Sequence, residues 1–142
     1  MKKLTALALI LFGMLAFAQT DNTSVHRWKP LSISEKEKIW YDAAMVDSVK
    51  GDKLNMWILQ MHKPPLTFEN IKGEIYRSKT LYTISLKTVR YGIKQVVYYD
   101  VTNKEISSFD YPIDSYPDNV KYTYPIMENS FLYTLLKELF HK

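Results

Sequence analysis

The chain has 142 residues, no cysteine, three histidines, nineteen Lys+Arg and fifteen Asp+Glu. That length sets one domain, and an aromatic content of 14% with eleven tyrosines excludes a disordered chain. The lack of cysteine excludes disulfides, iron–sulfur clusters, cysteine nucleophiles and Cys₂His₂ zinc sites.

Residues 1–18 carry the grammar of a secretory signal peptide: Lys2 and Lys3, then an apolar run over residues 4–15, then Ala16-Phe17-Ala18. Small residues at −3 and −1 predict cleavage before Gln19. The run is shorter than the roughly 20 residues that span a bilayer as a helix, so no transmembrane segment is expected after cleavage. The expected location is periplasmic, secreted or peripheral to the cell surface. Without Lys2 and Lys3, seventeen basic residues face fifteen acidic ones, a net of +2. So small an excess argues against nucleic acid as a partner.

Residues 19–38 are polar and aperiodic and read as a flexible leader. Residues 39–49 read as the first strand, closed by turn chemistry at Gly51-Asp52. Residues 53–62 place Leu54, Met56 and Ile58 on one face and Trp57, Leu59 and Met61 on the other. Apolar residues on both faces predict a central strand covered on each side. Lys63-Pro64-Pro65 is expected to stop it, leaving residues 63–78 as the longest internal connection.

Residues 80–90 alternate, with Tyr82, Ile84 and Leu86 inward against Thr83, Ser85 and Lys87. Tyr91-Gly92 reads as a turn or bulge, followed by strands over 93–101 and 105–111 in a meander. Residues 120–124 alternate as a last short strand. From Asn129 the period changes: Phe131, Leu135 and Leu139 recur at helical spacing, with Asn129 or Ser130 as cap. The expected fold is α+β, an antiparallel sheet of about six strands with one C-terminal helix packed on a face.

Chemistry is sparse. His26, His62 and His141 share no metal-ligand spacing and read as surface histidines. Asp42, Asp47, Asp100 and Asp110 lie in or beside strands, where acids usually shape turns; no second signal marks a carboxylate pair. Gly51, Gly73 and Gly92 build neither a nucleophile elbow nor a phosphate loop. No catalytic, cofactor or metal residue is therefore predicted. Tyr82, Tyr91, Tyr98, Tyr99, Tyr111, Tyr122 and Tyr124 fall on or beside strands, interleaved with Lys79, Lys87, Arg90, Lys94, Lys104 and Lys121. Most tyrosines read as strand material. Alternation sends Tyr98 and Tyr99 to opposite faces, and a Tyr/Lys surface suits acidic or glycosylated polymers.

Trp40-Tyr41 leads into Val46-Asp47-Ser48-Val49, then Leu54-Asn55-Met56-Trp57-Ile58-Leu59. Ser78-Lys79-Thr80-Leu81-Tyr82-Thr83-Ile84, Arg90-Tyr91-Gly92-Ile93 and Val97-Tyr98-Tyr99-Asp100 follow, and Tyr124-Pro125-Ile126 with Asn129-Ser130 precede the helix. In order and spacing, over roughly residues 39–140, these segments resemble the surface-adhesin E family of bacterial envelope proteins. The resemblance implies a six-stranded antiparallel sheet with a C-terminal helix, binding of matrix and plasma proteins, and an ability to dimerise. It makes residues 39–142 the adhesin-like domain. The chain departs from that family in lacking both the cysteines near strand and helix ends and a lipid-attachment cysteine. The expected function is an exported, non-enzymatic binding module with a protein or glycan partner and no cofactor, acting through a sheet edge or the 63–78 segment. The alternative is a periplasmic small-ligand carrier or hydrolase using the concave face of the sheet.

Overall fold

A computed structural model describes residues 25–140. The predicted signal peptide, the expected cleavage point before Gln19, the first part of the predicted leader and His141 lie outside the described residues. The described chain is one antiparallel sheet crossed on one face by a C-terminal helix.

Six strands follow one another in both sequence and space: β1 (Trp28–Ile33), β2 (Lys38–Asp42), β3 (Lys53–Phe68), β4 (Ile71–Ser85), β5 (Arg90–Tyr99) and β6 (Glu105–Asp110). A two-residue strand, β7 (Tyr124–Pro125), pairs with the start of β5, opposite Arg90 and Tyr91. Among the described residues there are also two α-helices, α1 (Asp118–Lys121) and α2 (Phe131–Phe140), and two short 3-10 helices, over Ala43–Ser48 and Ile113–Ser115. Neighbouring antiparallel strands need only short turns, which is why the meander was readable from turn residues.

The core lies between the sheet and α2. Register places Leu54 opposite Ile84 and Met56 opposite Tyr82, and Ile39, Tyr41 and Ile58 join them beneath Leu132 and Leu135. Each such fully buried aliphatic side chain stabilises the fold by about 1.5–3 kcal/mol relative to exposure. Ser130 starts the helix, its Oγ accepting from the Tyr133 amide at 3.3 Å. As predicted, β3 is central, lying between β2 and β4; its outer side, with Trp57 and Leu59, is half-buried rather than covered.

Several expectations are corrected. Part of the predicted leader, residues 28–33, is β1, paired from Trp28 opposite Asp42 to Ile33 opposite Lys38. Its alternation is hidden because the register shifts between Pro30 and Ser32. The first predicted strand ends early: Asp42 accepts from the Ala44 amide and caps a 3-10 helix over Ala43–Ser48. Pro64 and Pro65 do not end β3, because they sit in the register break between Met61 and Leu66, where no ladder donor is required. The predicted 63–78 connection is therefore the outer half of the β3–β4 hairpin, turning at residues 69–70. The tip reaches β5 and β6, with the Phe68 ring 5.8 Å from Tyr98.

The turn before β5 lies at residues 86–89, with Val89 at φ +53°, and not at Tyr91-Gly92. Gly92 has a different task. A Cβ there would lie 2.1 Å from the Lys121 carbonyl oxygen, so glycine is what lets α1 press against β5. Residues 120–124 form the end of α1 and the start of β7 rather than one strand. Thr83 and Ser85, expected outward, are buried.

Candidate functional site

The segment between β6 and β7 folds back over β5 on the face away from α2, with Asp118 on Lys53 and the Lys121 carbonyl over Gly92, and a groove of about 390 Å³ lies between it and β5. Its floor is Ile93, Val96 and Tyr98, and its walls are Tyr111, Tyr116, Val120 and Tyr124. Tyr111, Tyr116 and Tyr124 are 47%, 45% and 51% exposed, so the groove presents phenol rings to solvent instead of burying them.

Polar contacts fasten this wall to the sheet. The Tyr111 amide donates to the Lys94 carbonyl at 2.8 Å. Asp114 joins Lys94 Nζ at 2.7 Å and Lys121 Nζ at 3.0 Å. The two ammonium groups, Lys94 first, hold the Asp114 carboxyl below its ordinary value. Arg90 Nε donates to the Tyr122 carbonyl at 2.9 Å, and its Nη2 donates to the Thr123 carbonyl. Tyr122 itself is buried, and its hydroxyl has no partner among the described residues.

Rings hold the tyrosines in place. Phe131, Tyr82, Tyr91 and Tyr124 form a chain with centroids 5.8, 5.5 and 5.4 Å apart, running from α2 to the groove. Tyr98 lies between Phe68 at 5.8 Å and Phe109 at 6.2 Å. Such edge and tilted contacts contribute about 0.5–1.5 kcal/mol each beyond area burial. Burial pushes the Tyr98 phenol up and neighbouring Tyr111 adds to the shift; burial and Tyr124 do the same to Tyr91. The phenols stay neutral and remain hydrogen-bond donors at pH 7. Rigid phenols with few rotamers give large contact area at small entropic cost, the chemistry of a binding surface.

The other predicted residues are scattered. His26 Nδ1 donates to Asp42 Oδ2 at 2.7 Å, and Asp42 also accepts from the amides of Arg27 and Ala44. His62 Nε2 lies 2.8 Å from Ser78 Oγ, and burial pushes its pKa down. Asp100 organises its own turn, accepting from the amides of Thr102 and Lys104. Asp47 and Asp110 join neither of these arrangements. Tyr98 and Tyr99 stand opposite Ser78 and Arg77, on opposite faces as predicted. The His26–Asp42 pair was missed because sixteen residues separate its members and no local spacing marks them. Tyr116 was missed because it lies in a loop rather than on a strand.

A larger cavity, about 640 Å³, lies among Asp52, Lys53, Lys87, Arg90 and Asp118, but the Lys53–Asp118 pair at 3.0 Å internally satisfies part of its charge. Among the described residues no three His, Asp or Glu side chains gather as a metal site, and no helix is long and apolar enough to cross a membrane. No known protein family, curated protein or solved structure matches the chain.

Proposed function

We propose that this chain is an exported, non-enzymatic binding module of the bacterial cell envelope, related to the surface-adhesin E family. Its tyrosine groove seats an extended segment of a protein partner. The observation that carries the reading is the exposure of Tyr111, Tyr116 and Tyr124 around one groove whose wall is clipped to the sheet through Asp114. Aromatic-lined grooves recognise extended, proline-rich segments because the ligand is already ordered before it binds. Export rests on the signal-peptide grammar of residues 1–18, and the antiparallel meander with its C-terminal helix is what the adhesin resemblance implies. A second reading, a small-ligand carrier, is favoured by the groove volume alone, which falls within the range of small-molecule sites.

Purified residues 19–142 tested against an array of matrix proteins and proline-rich peptides should retain at least one of them. The double variant Tyr111→Ser/Tyr116→Ser should lose roughly tenfold or more in affinity, since aromatic anchors dominate such interfaces. Retention of no protein or peptide, together with turnover of a hydrolase substrate panel, would overturn the reading.

A further inference from the structure

The face of the sheet away from α2 has its own chemistry. Register places Trp40 opposite both Pro30 and Leu59, Leu59 opposite Lys79, and Arg77 opposite Tyr99. Trp28 stands opposite Asp42 and Trp57 lies two residues before Leu59, so all three tryptophans of the chain share this face. Beside Trp28 is a cleft of about 180 Å³ lined by His26, Trp28, Arg77, Lys79, Tyr99 and Asn103, with Leu59. Three of these side chains are basic and none is a carboxylate.

The cations are held in place yet unneutralised. Lys79 Nζ sits 4.8 Å from the Trp57 ring centroid, and among the described residues neither Lys79 nor Arg77 has a carboxylate within ion-pair distance. Arg77 Nη1 donates to Asn103 Oδ1 at 3.0 Å, which orients the guanidinium. The His26 ring is clamped by Asp42 at Nδ1 and by Trp28 at 5.0 Å, leaving Nε2 as its remaining polar atom. Two carboxylates act on Lys79 from a distance, Glu105 in β6 and Asp42 behind His26, and Asp42 is already engaged by three donors. Among the described residues Lys79 is half-buried without a carboxylate in ion-pair distance, which is unfavourable, and an incoming anion relieves it.

We propose that this cleft binds an acidic sugar residue of a polysaccharide. Its carboxylate or sulfate is received by Arg77 and Lys79, and its ring lies against the aromatic walls of Trp28 and Tyr99. The guanidinium fork matches either anion in a bidentate pair. The small cleft volume admits one residue of a chain rather than a whole drug-sized ligand. Two cations are fewer than the cluster of four to eight that marks an anionic lipid surface. The net charge of residues 19–142, only +2, is likewise weak for nucleic acid. The site shares no lining residue with the tyrosine groove.

The test is calorimetric titration of residues 19–142 with heparin, hyaluronan and neutral dextran, and sedimentation with phosphatidylglycerol vesicles. Binding to heparin or hyaluronan and not to dextran is expected, the two polymers separating sulfate from carboxylate. Arg77→Gln/Lys79→Gln should lower the affinity roughly tenfold or more, as loss of charge-assisted hydrogen bonds predicts, with an unchanged circular dichroism spectrum. Lys36→Gln should bind like the parent. Equal binding to dextran, undiminished binding by the Arg77/Lys79 variant, binding to vesicles alone, or no binding to any probe would overturn the proposal.

Discussion

Asp42 is 2% exposed and is engaged by a ring nitrogen and two backbone amides, which join the chain before β1 to the end of β2. Burial acts to raise its pKa, but the hydrogen bonds from His26, Arg27 and Ala44, with the charge on His26, overcome it and hold the carboxyl below its ordinary value. A depressed pKa contributes stability that is present above the unfolded value and is lost as pH falls through the folded one. Asp42→Asn should therefore destabilise the protein by about 1–3 kcal/mol near neutrality. Urea unfolding across pH should show this gap narrowing below about pH 4, where the unfolded carboxylate protonates. Gly92 gives a second prediction at this scale. Gly92→Ala sets a methyl against the rigid Lys121 carbonyl, and an overpacked site of this kind costs about 1–3 kcal/mol. Gly51→Ala, with open space around it but φ at +60°, should cost less, about 1 kcal/mol. Thermal unfolding of the two variants side by side checks the order.

Among the elements, α2 was legible because its apolar residues change from period two to period 3.6, and its buried pair, Leu132 and Leu135, lies within that stripe. Leu135→Ala should cost about 2–5 kcal/mol, since the side chain is fully buried beneath the sheet. Ser130→Ala should cost about 1 kcal/mol through loss of the cap alone. If chemical denaturation ranks the cap change above the core change, the packing of α2 described above is incorrect. The β3–β4 hairpin was half legible. Its inner arms alternate, but prolines at 64 and 65 signal an end only if the ladder needs their amides, and the register break removes that need. β1 was illegible for a similar reason, since its bulge scrambles the alternation by which a strand is recognised. The groove was legible in its residue types, since Tyr98, Tyr111 and Tyr124 stand out in the chain. It was not legible as a site, because α1 and the Lys94–Asp114–Lys121 cluster that shape it join residues far apart.

At the scale of the whole molecule, the export expected from residues 1–18 has a direct check. Expressed from Met1 in a bacterial host, the protein should leave the cytoplasm, and mass spectrometry should find Gln19 at its N-terminus. An intact Met1 on a cytoplasmic product would contradict it. Composition, turn residues and hydrophobic period alone determined the β4–β5–β6 meander, the antiparallel class and the terminal helix. These are local properties: a period marks a buried face, and short turns leave neighbours no choice but to pair. Tertiary structure alone decided which face each aromatic residue occupies, the seating of β1, the closing of the tyrosine groove and the gathering of Arg77, Lys79 and three tryptophans on the face away from α2. Each depends on register, and a bulge or shift of one residue exchanges the two faces of a strand.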